Sequence, residues 1–278
     1  EVNLIGSTTK GGTIYTGFKE NIINENTIYR DEPIKIKSTP IKKSWASYPL
    51  GNLNPVEALS ISSNVYMFRL AMALGKANYV YDGPLKIDFA AFDTYRRDIG
   101  ELGLGVKTGL DVTYEANGKR GDNPLAGNLL DLSIGQYDAY TNIQLAQYTA
   151  TLANGGKRVK PRLVLDAFVN DDEGNQLTTY ENRPIILDNV SSQSRAFDTI
   201  KRGFRGCVIS PKGLCRTPWA SKPYTTYVKT GTAEVIESRQ VYYNKQVIGW
   251  ADGKDGKAQV VFAAMGIKNG KGEFYYLA

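Results

Sequence analysis

The residues of this chain that could do chemistry begin with a serine and a lysine near its start, Ser7 and Lys10, because its 278 residues include no histidine. A serine hydroxyl becomes a nucleophile only when a neighbouring base takes its proton. Residues three apart share one face of a helix, so the Lys10 amine can reach the Ser7 hydroxyl. An ammonium group cannot accept a proton, so Lys10 must be held neutral by burial or by a second cation. The sequence therefore predicts a nucleophilic serine, a lysine base and another positive side chain nearby.

The candidate for that second cation is Lys229, which lies in a β-branched run interrupted by Gly231. β-Branched residues favour strands, and a strand glycine often marks a close backbone approach. We therefore predict that Lys229 lies on an edge strand. Between the two lysines lies Ser62-Ser63-Asn64. Three motifs thus follow one another: serine-x-x-lysine, serine-serine-asparagine and lysine-threonine-glycine.

Each motif alone has a simpler structural explanation. A serine at the start of a helix, with a solvated lysine one turn later, is typical of an N-terminal cap. Two hydroxyls and an amide between apolar helices, as at 62–64, are typical of a helix-to-helix cap. Lysine-threonine-glycine occurs a second time at 107–109, so the tripeptide is common by itself. The order of the motifs, their spacing and the absence of histidine together favour the catalytic interpretation.

With these three motifs in this order, the chain resembles the transpeptidase domain of penicillin-binding proteins, the D,D-transpeptidases of bacterial cell-wall synthesis. The resemblance covers nearly the whole chain. It is closest to the class B enzymes of Gram-positive bacteria through residues 62–67, 133–136 and 144–148. It implies a single transpeptidase domain over residues 1–278. The implied fold is α/β (α+β), of the penicillin-binding and serine β-lactamase type, with an antiparallel sheet flanked by helices plus a helical lobe.

The resemblance also implies a role for each candidate catalytic residue. Ser7 would attack the carbonyl carbon between the two terminal D-alanines of a peptidoglycan stem peptide, and Lys10 would take its proton. Ser62 would face the nucleophile and pass protons, while Asn64 would hold Lys10 and the substrate amide. The acyl group would then move to the amine of a neighbouring stem peptide. β-Lactams would acylate Ser7 because they resemble the peptide end.

Substrate binding is implied on the strand that carries the last motif. Its lysine and two of its hydroxyl side chains would hold the free carboxylate of the terminal residue in a charge-assisted contact. The backbone N–H groups of Ser7 and Thr232 would hold the developing oxyanion. A tryptophan is expected at the rim of the site. The expected substrate-binding residues are therefore Trp45, Lys229, Thr230, Gly231 and Thr232.

Two other functions are compatible with the same motifs. A β-lactamase needs an additional base that activates water, which in class A enzymes is a glutamate upstream of an asparagine. The candidates Glu101, Glu115 and Glu173 lie in contexts that do not resemble that pattern. A non-catalytic β-lactam sensor or wall-binding module would share every motif, so the sequence leaves it open.

Composition and charge narrow the remaining classes of protein. A hydrophobic content of 42% is enough for a large core in one domain or two packed lobes. The formal charge is +6, but its basic clusters are short, at 35–37 and 41–43, so we predict a solvated basic surface and no nucleic-acid partner. No apolar run approaches the roughly 20 residues that a membrane span needs. No cofactor is expected. No metal site is expected either, since neither cysteine has a partner at metal-ligand spacing and a zinc site without histidine would need carboxylates and water.

Location and partners follow from the resemblance alone. It implies the extracytoplasmic face of the cell membrane, with the anchor outside this chain. Expected partners are peptidoglycan stem peptides, β-lactam antibiotics, a glycosyltransferase and other cell-wall synthesis proteins. The family also has two strands before the nucleophile helix and a long helix after the last strand, and neither is recognisable here. Because Ile5 also stands where the family has a proline, we expect a domain that is incomplete at both ends.

The candidate residues must be positioned by a small set of helices and strands. The glycine-containing segment after Ser7 is predicted to be a helix packed deep against a sheet, and capping sequences predict two further helix starts. The predicted helices are Thr8 to Glu20, Asn54 to Ser62, Val65 to Leu74, Thr141 to Asn154 and Ser194 to Phe204. The predicted strands are Arg158 to Val169, Tyr227 to Val235, Gln246 to Ala251 and Ala258 to Met265, with a hairpin turn at 252–256.

The two cysteines leave their redox state open. Cys207 and Cys215 are close enough in sequence to form a disulfide. They are also few enough to be ordinary buried thiols. The sequence does not choose between these alternatives.

Overall fold

The computed structural model describes residues 1–269. The helices within them are α1 (Lys10–Lys19), α2 (Pro55–Ser60), α3 (Asn64–Leu74), α4 (Ala90–Glu101), α5 (Ala126–Ser133), α6 (Asn142–Ala153), α7 (Ser194–Ile209) and α8 (Arg216–Trp219). The strands are β1 (Asn3–Leu4), β2 (Tyr29–Asp31), β3 (Gly51–Leu53), β4 (Ala139–Tyr140), β5 (Lys157–Val159), β6 (Asp166–Asn170), β7 (Gln176–Glu181), β8 (Ile186–Asn189), β9 (Thr226–Glu237), β10 (Gln240–Asp252) and β11 (Ala258–Asn269). Short 3₁₀ turns, Gly6–Thr9 and Ser191–Gln193, precede α1 and α7.

The main sheet is antiparallel and has the strand order β11-β10-β9. Lys229 on β9 pairs with Ile248 on β10, and β9 forms the edge of this sheet, as predicted. Helix α6 packs against β11, and α7 packs against β9. Trp250 of β10 is fully buried between the sheet and α7, where its ring lies 5.7 Å from that of Phe204. The predicted antiparallel sheet flanked by helices is confirmed.

The central strand is longer than predicted. It begins at Gln240, six residues before the predicted start, and the turn before it consists of Ser238 and Arg239, both with positive φ. Residues 240–243 project from the core and remain partly exposed. They therefore show no alternation of buried and exposed positions from which a strand could be predicted. Pairing with the equally extended β9 forms this part of the strand. The hairpin turn predicted at 252–256 is confirmed, because β11 follows it in antiparallel pairing.

One predicted strand is wrong. Residues 158–169 do not form a continuous strand: β5 ends at Val159, and β6 begins at Asp166. Pro161 lies between them, and a proline cannot donate a hydrogen bond to a ladder. The two pieces pair with different strands, β5 with β8 and β6 with β7. A turn at 171–174 joins β6 to β7.

Helix α1 lies deep in the molecule, as its glycines predicted. Its residues from Lys10 to Gly17 are all buried. A Cβ atom at Gly11 would lie 2.6 Å from the Tyr148 hydroxyl oxygen, and one at Gly17 would lie 2.6 Å from a Leu70 methyl carbon. The glycines therefore allow α6 and α3 to approach the helix more closely than any larger residue would.

The predicted helix starts are also confirmed. Asn54 and Glu57 form a capping box at α2, and Thr141 forms the corresponding box with Gln144 at α6. Helix α7 continues to Ile209, beyond its predicted end. Its last turn carries Cys207, which forms a disulfide with Cys215 across a Cα–Cα distance of 4.9 Å.

Within residues 1–269 no helix has the length and apolarity that crossing a membrane would require.

Candidate active site

One cleft brings most of the candidate residues together. It has a volume of about 320 Å³ and lies between the start of α1, the start of α3 and the edge strand β9. Lys10 and Lys229 do not line it, and both side chains are fully buried. The candidate residues that line the cleft are Ser7, Trp45, Ser62, Asn64, Thr230, Gly231 and Thr232.

Ser7 is presented to the cleft by a 3₁₀ turn that lies directly against the edge strand. The backbone N–H of Gly6 donates to the carbonyl of Gly135 at 3.0 Å, and Gly6 has a φ of +50°. A Cβ atom at Gly6 would collide with the carbonyl oxygen of Thr232. Glycine therefore permits both the backbone conformation and the contact. The Ser7 hydroxyl makes no hydrogen bond to any other residue among 1–269, so it is available to a substrate.

Lys10 follows Ser7 by one turn, and its amine is surrounded by the second motif. Its Nζ donates to the carbonyl of Ser62 at 2.8 Å and to Oδ1 of Asn64 at 2.7 Å, and lies 3.1 Å from Ser62 Oγ. Burial lowers the pKa of Lys10 well below its usual value, and the positive charge of Lys229 lowers this pKa further. The Lys10 amine thus contacts Ser62 and Asn64, while the predicted contact with Ser7 is not formed.

Lys229 reaches the same serine from the opposite side. Its Nζ donates to Ser62 Oγ at 2.8 Å and to the carbonyl of Thr230 at 2.8 Å. Burial lowers the pKa of Lys229 to about 7. Ser62 itself has a φ of +57°, a left-handed conformation that is uncommon for serine and is typical of functional sites. This conformation places the Ser62 hydroxyl between the two lysine amines.

The contacts around Ser62 are satisfied when Lys10 is neutral and Lys229 is protonated. A neutral amine has two N–H donors and one lone pair, and the Lys10 donors point at two pure acceptors, the Ser62 carbonyl and Asn64 Oδ1. The Lys10 lone pair is then left for the hydroxyl proton of Ser62. The hydroxyl oxygen in turn accepts from the ammonium of Lys229. A neutral Lys10 beside a protonated Lys229 therefore fits the observed geometry, and Ser62 can move a proton between them.

The backbone of β9 directs polar groups toward the cleft. Gln136 Nε2 lies 3.5 Å from the carbonyl oxygen of Thr232, so that carbonyl points away from β10. The N–H and C=O of one strand residue point to the same side, so the Thr232 N–H also points toward the cleft. Gly231 allows this arrangement, because a Cβ atom there would lie 2.6 Å from the carbonyl oxygen of Ile5.

The rim is formed in part by Trp45, which is 54% exposed. Its indole N–H donates to the carbonyl of Ile61 at 2.8 Å, and this bond fixes one edge of the ring beside the second motif. Asn64 Nδ2 donates to the carbonyl of Lys43 at 3.2 Å, so the amide that contacts Lys10 is held from both ends. Trp45 and Asn64 thus both line the cleft.

The glutamates considered as a possible hydrolytic base lie outside the cleft. Glu101 accepts hydrogen bonds from Tyr15 and Lys19 toward the other end of α1. Glu115 binds the backbone N–H groups of Thr108 and Gly109. Glu173 lies in the exposed turn between β6 and β7.

Several residues of the cleft are not among the predicted site residues. Glu234 has the clearest signal, because it lies two positions after Thr232 and so shares its side of the strand. Leu214 was not recognisable, since it reaches the cleft through the disulfide-linked loop after α7. The missed residues are Ile134, Gln136, Leu214, Glu234 and Tyr243.

Comparison with known proteins covers nearly the whole chain. Residues 5–277 match the family of the penicillin binding protein transpeptidase domain. Penicillin-binding protein 2A of Bacillus subtilis is 42% identical over 232 residues, which make up 83% of this chain and 32% of that protein. The peptidoglycan D,D-transpeptidase MrdA of Haemophilus influenzae is 26% identical over 247 residues, 84% of this chain and 35% of that protein.

A solved structure gives the same result for the fold. Penicillin-binding protein 2B from Streptococcus pneumoniae superimposes with a TM-score of 0.85 at 28% identity, over 95% of this chain and 44% of that one. The chain spans about a third of the length of the curated relatives that it matches.

Proposed function

The chain belongs to the penicillin-binding protein transpeptidase family, and on that basis we propose that it is a serine D,D-transpeptidase that cross-links peptidoglycan, with Ser7 as nucleophile and Lys10 as general base. The observation that carries this proposal is the position of Ser62 Oγ, 3.1 Å from Lys10 Nζ and 2.8 Å from Lys229 Nζ, beside the cleft that contains Ser7. A general base must be unprotonated at the working pH. Burial and the neighbouring cation both lower the pKa of Lys10, which favours that state.

In the first step, Ser7 Oγ attacks the carbonyl carbon between the two terminal D-alanines of a donor stem peptide. Its proton passes to Lys10, and the oxyanion that forms is stabilised by the backbone N–H groups of Ser7 and Thr232. When the C–N bond breaks, the leaving D-alanine amine takes a proton from Lys10, directly or through Ser62. The product is an acyl-enzyme ester on Ser7.

In the second step, the amine of a neighbouring stem peptide attacks the ester carbonyl carbon. The amine loses a proton to Lys10 as the new amide bond forms, and Ser7 Oγ recovers a proton as it leaves. The same base therefore serves both half-reactions. No oxidant, reductant or metal ion is needed for the balance of either step.

The free carboxylate of the donor peptide is proposed to bind on β9. Thr230 and Thr232 line the cleft and can donate hydroxyl hydrogen bonds to it. Lys229 is fully buried and does not line the cleft. Its positive charge is therefore proposed to attract the carboxylate through space, from inside the protein. A bound carboxylate would in turn stabilise the protonated form of Lys229.

We place this activity at the extracytoplasmic face of the cell membrane, where peptidoglycan is assembled. Cross-linking joins stem peptides that glycan strands carry, so we propose a glycosyltransferase, which makes those strands, as a partner. β-Lactams carry a strained amide and a carboxylate in positions similar to those of the donor peptide end, and they are proposed to acylate the same Ser7.

Intact-mass spectrometry after incubation with benzylpenicillin tests the nucleophile. The unsubstituted protein should gain one adduct, and Ser7→Ala should gain none. Ser221→Ala provides a matched control, because Ser221 is an exposed serine beside Lys222 and lies outside the cleft. A full adduct on Ser7→Ala would place the nucleophile elsewhere.

A β-lactamase is the second candidate, because Glu234 is a carboxylate that lines the cleft. The lifetime of the adduct after removal of free benzylpenicillin separates the two enzymes. We expect the adduct to persist for minutes or longer, with one burst of acylation and very slow turnover. Rapid loss of the adduct that is abolished by Glu234→Gln would establish hydrolysis instead.

A non-catalytic β-lactam sensor would also hold a long-lived adduct. It would fail to exchange D-amino acids onto a stem-peptide or thioester substrate. We expect the unsubstituted protein to catalyse that exchange and benzylpenicillin to block it. An acylated protein with no exchange activity would favour the sensor.

A further inference from the structure

A buried carboxylate that belongs to none of the three motifs lies behind the second one. Asp31 ends β2 and is 3% exposed. Its Oδ2 accepts hydrogen bonds from Ser44 Oγ at 2.6 Å and from Ser63 Oγ at 2.5 Å. Its Oδ1 lies 3.4 Å from the backbone N of Leu50. Across residues 1–269 no lysine or arginine forms an ion pair with this carboxylate, so the two serine hydroxyls are its main compensation for burial.

The carboxylate fixes the direction of both hydroxyl protons. An ionised carboxylate only accepts hydrogen bonds, so each serine must donate its single proton to it. The serine lone pairs are then left for the start of α3. Ser44 Oγ accepts from the backbone N–H of Asn64 at 3.0 Å, and Ser63 Oγ accepts from that of Tyr66 at 3.0 Å. These N–H groups belong to the first turn of the helix and have no partner within it.

We propose that Asp31 is a positioning residue for the Lys10 base. Its carboxylate orients the two serine hydroxyls, the hydroxyls fix the first turn of α3, and that turn holds Ser62 and Asn64 against the Lys10 amine. The inference rests on the function proposed above and adds a residue to the machinery from a different strand. It gives a role to a buried carboxylate that forms no ion pair within residues 1–269.

The position of Asp31 also has an electrostatic consequence. The charged groups that act on Lys10 are Lys229 from β9 and Asp31 from β2. Burial lowers the pKa of Lys10 most, Lys229 lowers it further, and the negative charge of Asp31 raises it. Removing the charge of Asp31 should therefore lower this pKa. The acidic limb of acylation, where the rate rises as Lys10 loses its proton, should then move to lower pH.

Two substitutions separate the charge from the hydrogen bonds. Asp31→Asn keeps an oxygen that can accept from both serines, so it should move the acidic limb of acylation by a fluorescent penicillin to lower pH with little change in the plateau rate. Asp31→Ala removes the acceptor, so the plateau rate of acylation should fall about 10- to 100-fold. This factor corresponds to the free energy of a hydrogen bond to a buried charged group. Asp98→Asn is the matched control, because Asp98 is an equally buried carboxylate that does not act on Lys10. It should leave the acidic limb unchanged.

The inference is overturned if the plateau rate of Asp31→Ala equals that of the unsubstituted protein. It is also overturned if the acidic limb of Asp31→Asn stays in place or moves to higher pH. Should Asp31→Ala fail to fold, as judged by circular dichroism, the Asp31→Asn profile decides by itself. A failure of the unsubstituted protein to be acylated would contradict the proposed function instead, so the two failures are distinguishable.

Discussion

The two ends of α1 place the same side chain in opposite electrostatic environments. At the first residue, Lys10 is fully buried, its amine contacts hydroxyl and carbonyl oxygens, and another lysine lies nearby. At the last residue, Lys19 forms ion pairs with Asp98 at 2.9 Å and with Glu101 at 2.5 Å. Burial acts to lower the pKa of both lysines. At Lys19 the hydrogen bonds to the two carboxylates outweigh burial and raise the pKa, whereas Lys10 has no such contact and its pKa falls.

This difference shows what turns a lysine into a base. The helix and the residue type are common to both positions, but Lys10 is fully buried and Lys19 is partly exposed. Burial and the nearest charged groups together therefore set the direction of each pKa shift. A lysine that contacts carboxylates stabilises the fold as a cation. A fully buried lysine beside a second lysine has a lowered pKa, which favours the neutral form that proton transfer requires.

The largest expected effect comes from keeping the positive charge while removing the base at position 10. Arginine stays protonated in proteins. Lys10→Arg should therefore reduce the second-order rate constant of acylation by benzylpenicillin by a factor of about 10² to 10⁴. Lys19→Arg makes the same change at the other end of the helix and should acylate at the parent rate. Stopped-flow measurement with a fluorescent penicillin compares the two variants. Near-parent acylation by Lys10→Arg would make Lys10 an electrostatic residue and move the base to the surroundings of Ser62.

A smaller effect is expected from removing the neighbouring cation. Lys229→Ala should lower the acylation rate for penicillins that carry a carboxylate. It should also raise the pKa of Lys10, because the positive charge that lowers this pKa is gone. The acidic limb of the pH profile should therefore move to higher pH, opposite to the shift expected for Asp31→Asn. A lower rate with an unmoved limb would restrict Lys229 to carboxylate binding.

The smallest effect on acylation is expected at the ion-paired end. Lys19→Met leaves the buried carboxylate of Asp98 with Arg97 as its remaining cation, so the free energy of unfolding should fall by about 1–2 kcal/mol. The acylation rate should stay the same. Urea denaturation measures the first quantity, with Lys76→Met as control, since the exposed pair of Lys76 and Asp88 should contribute nothing measurable. A loss of acylation in folded Lys19→Met would mean that the two ends of α1 are coupled.

Local patterns were enough to predict much of this architecture. Motif order pointed to Ser7, Lys10 and Lys229, and the structure shows the two lysines on opposite sides of one serine. The capping residues Asn54 and Thr141 act on neighbours in sequence, and the glycines of α1 allow close packing. Both features were therefore predictable from the sequence.

Features that depend on distant contacts were not predictable. Asp31 lies in a short strand with no motif around it, and its partners Ser44 and Ser63 come from other segments. The burial of Lys229 depends on the packing of β9 against the 3₁₀ turn Gly6–Thr9 and against α7. Pro161 is an exception, because its effect depends on the residue itself. A proline has no N–H to donate to a neighbouring strand, which predicts a break in the strand at this position.

The central claim is that Lys10 is neutral when Ser7 reacts, and direct titration of the lysine amines by NMR tests it. The protein would be labelled with ¹³C at lysine Cε, with the Lys10 and Lys19 signals identified by their loss in the arginine variants at those two positions. We predict that Lys10 titrates well below the ordinary lysine pKa and that Lys19 titrates above it. A Lys10 signal that titrates at the ordinary value, or together with Lys19, would contradict the assignment of Lys10 as the base.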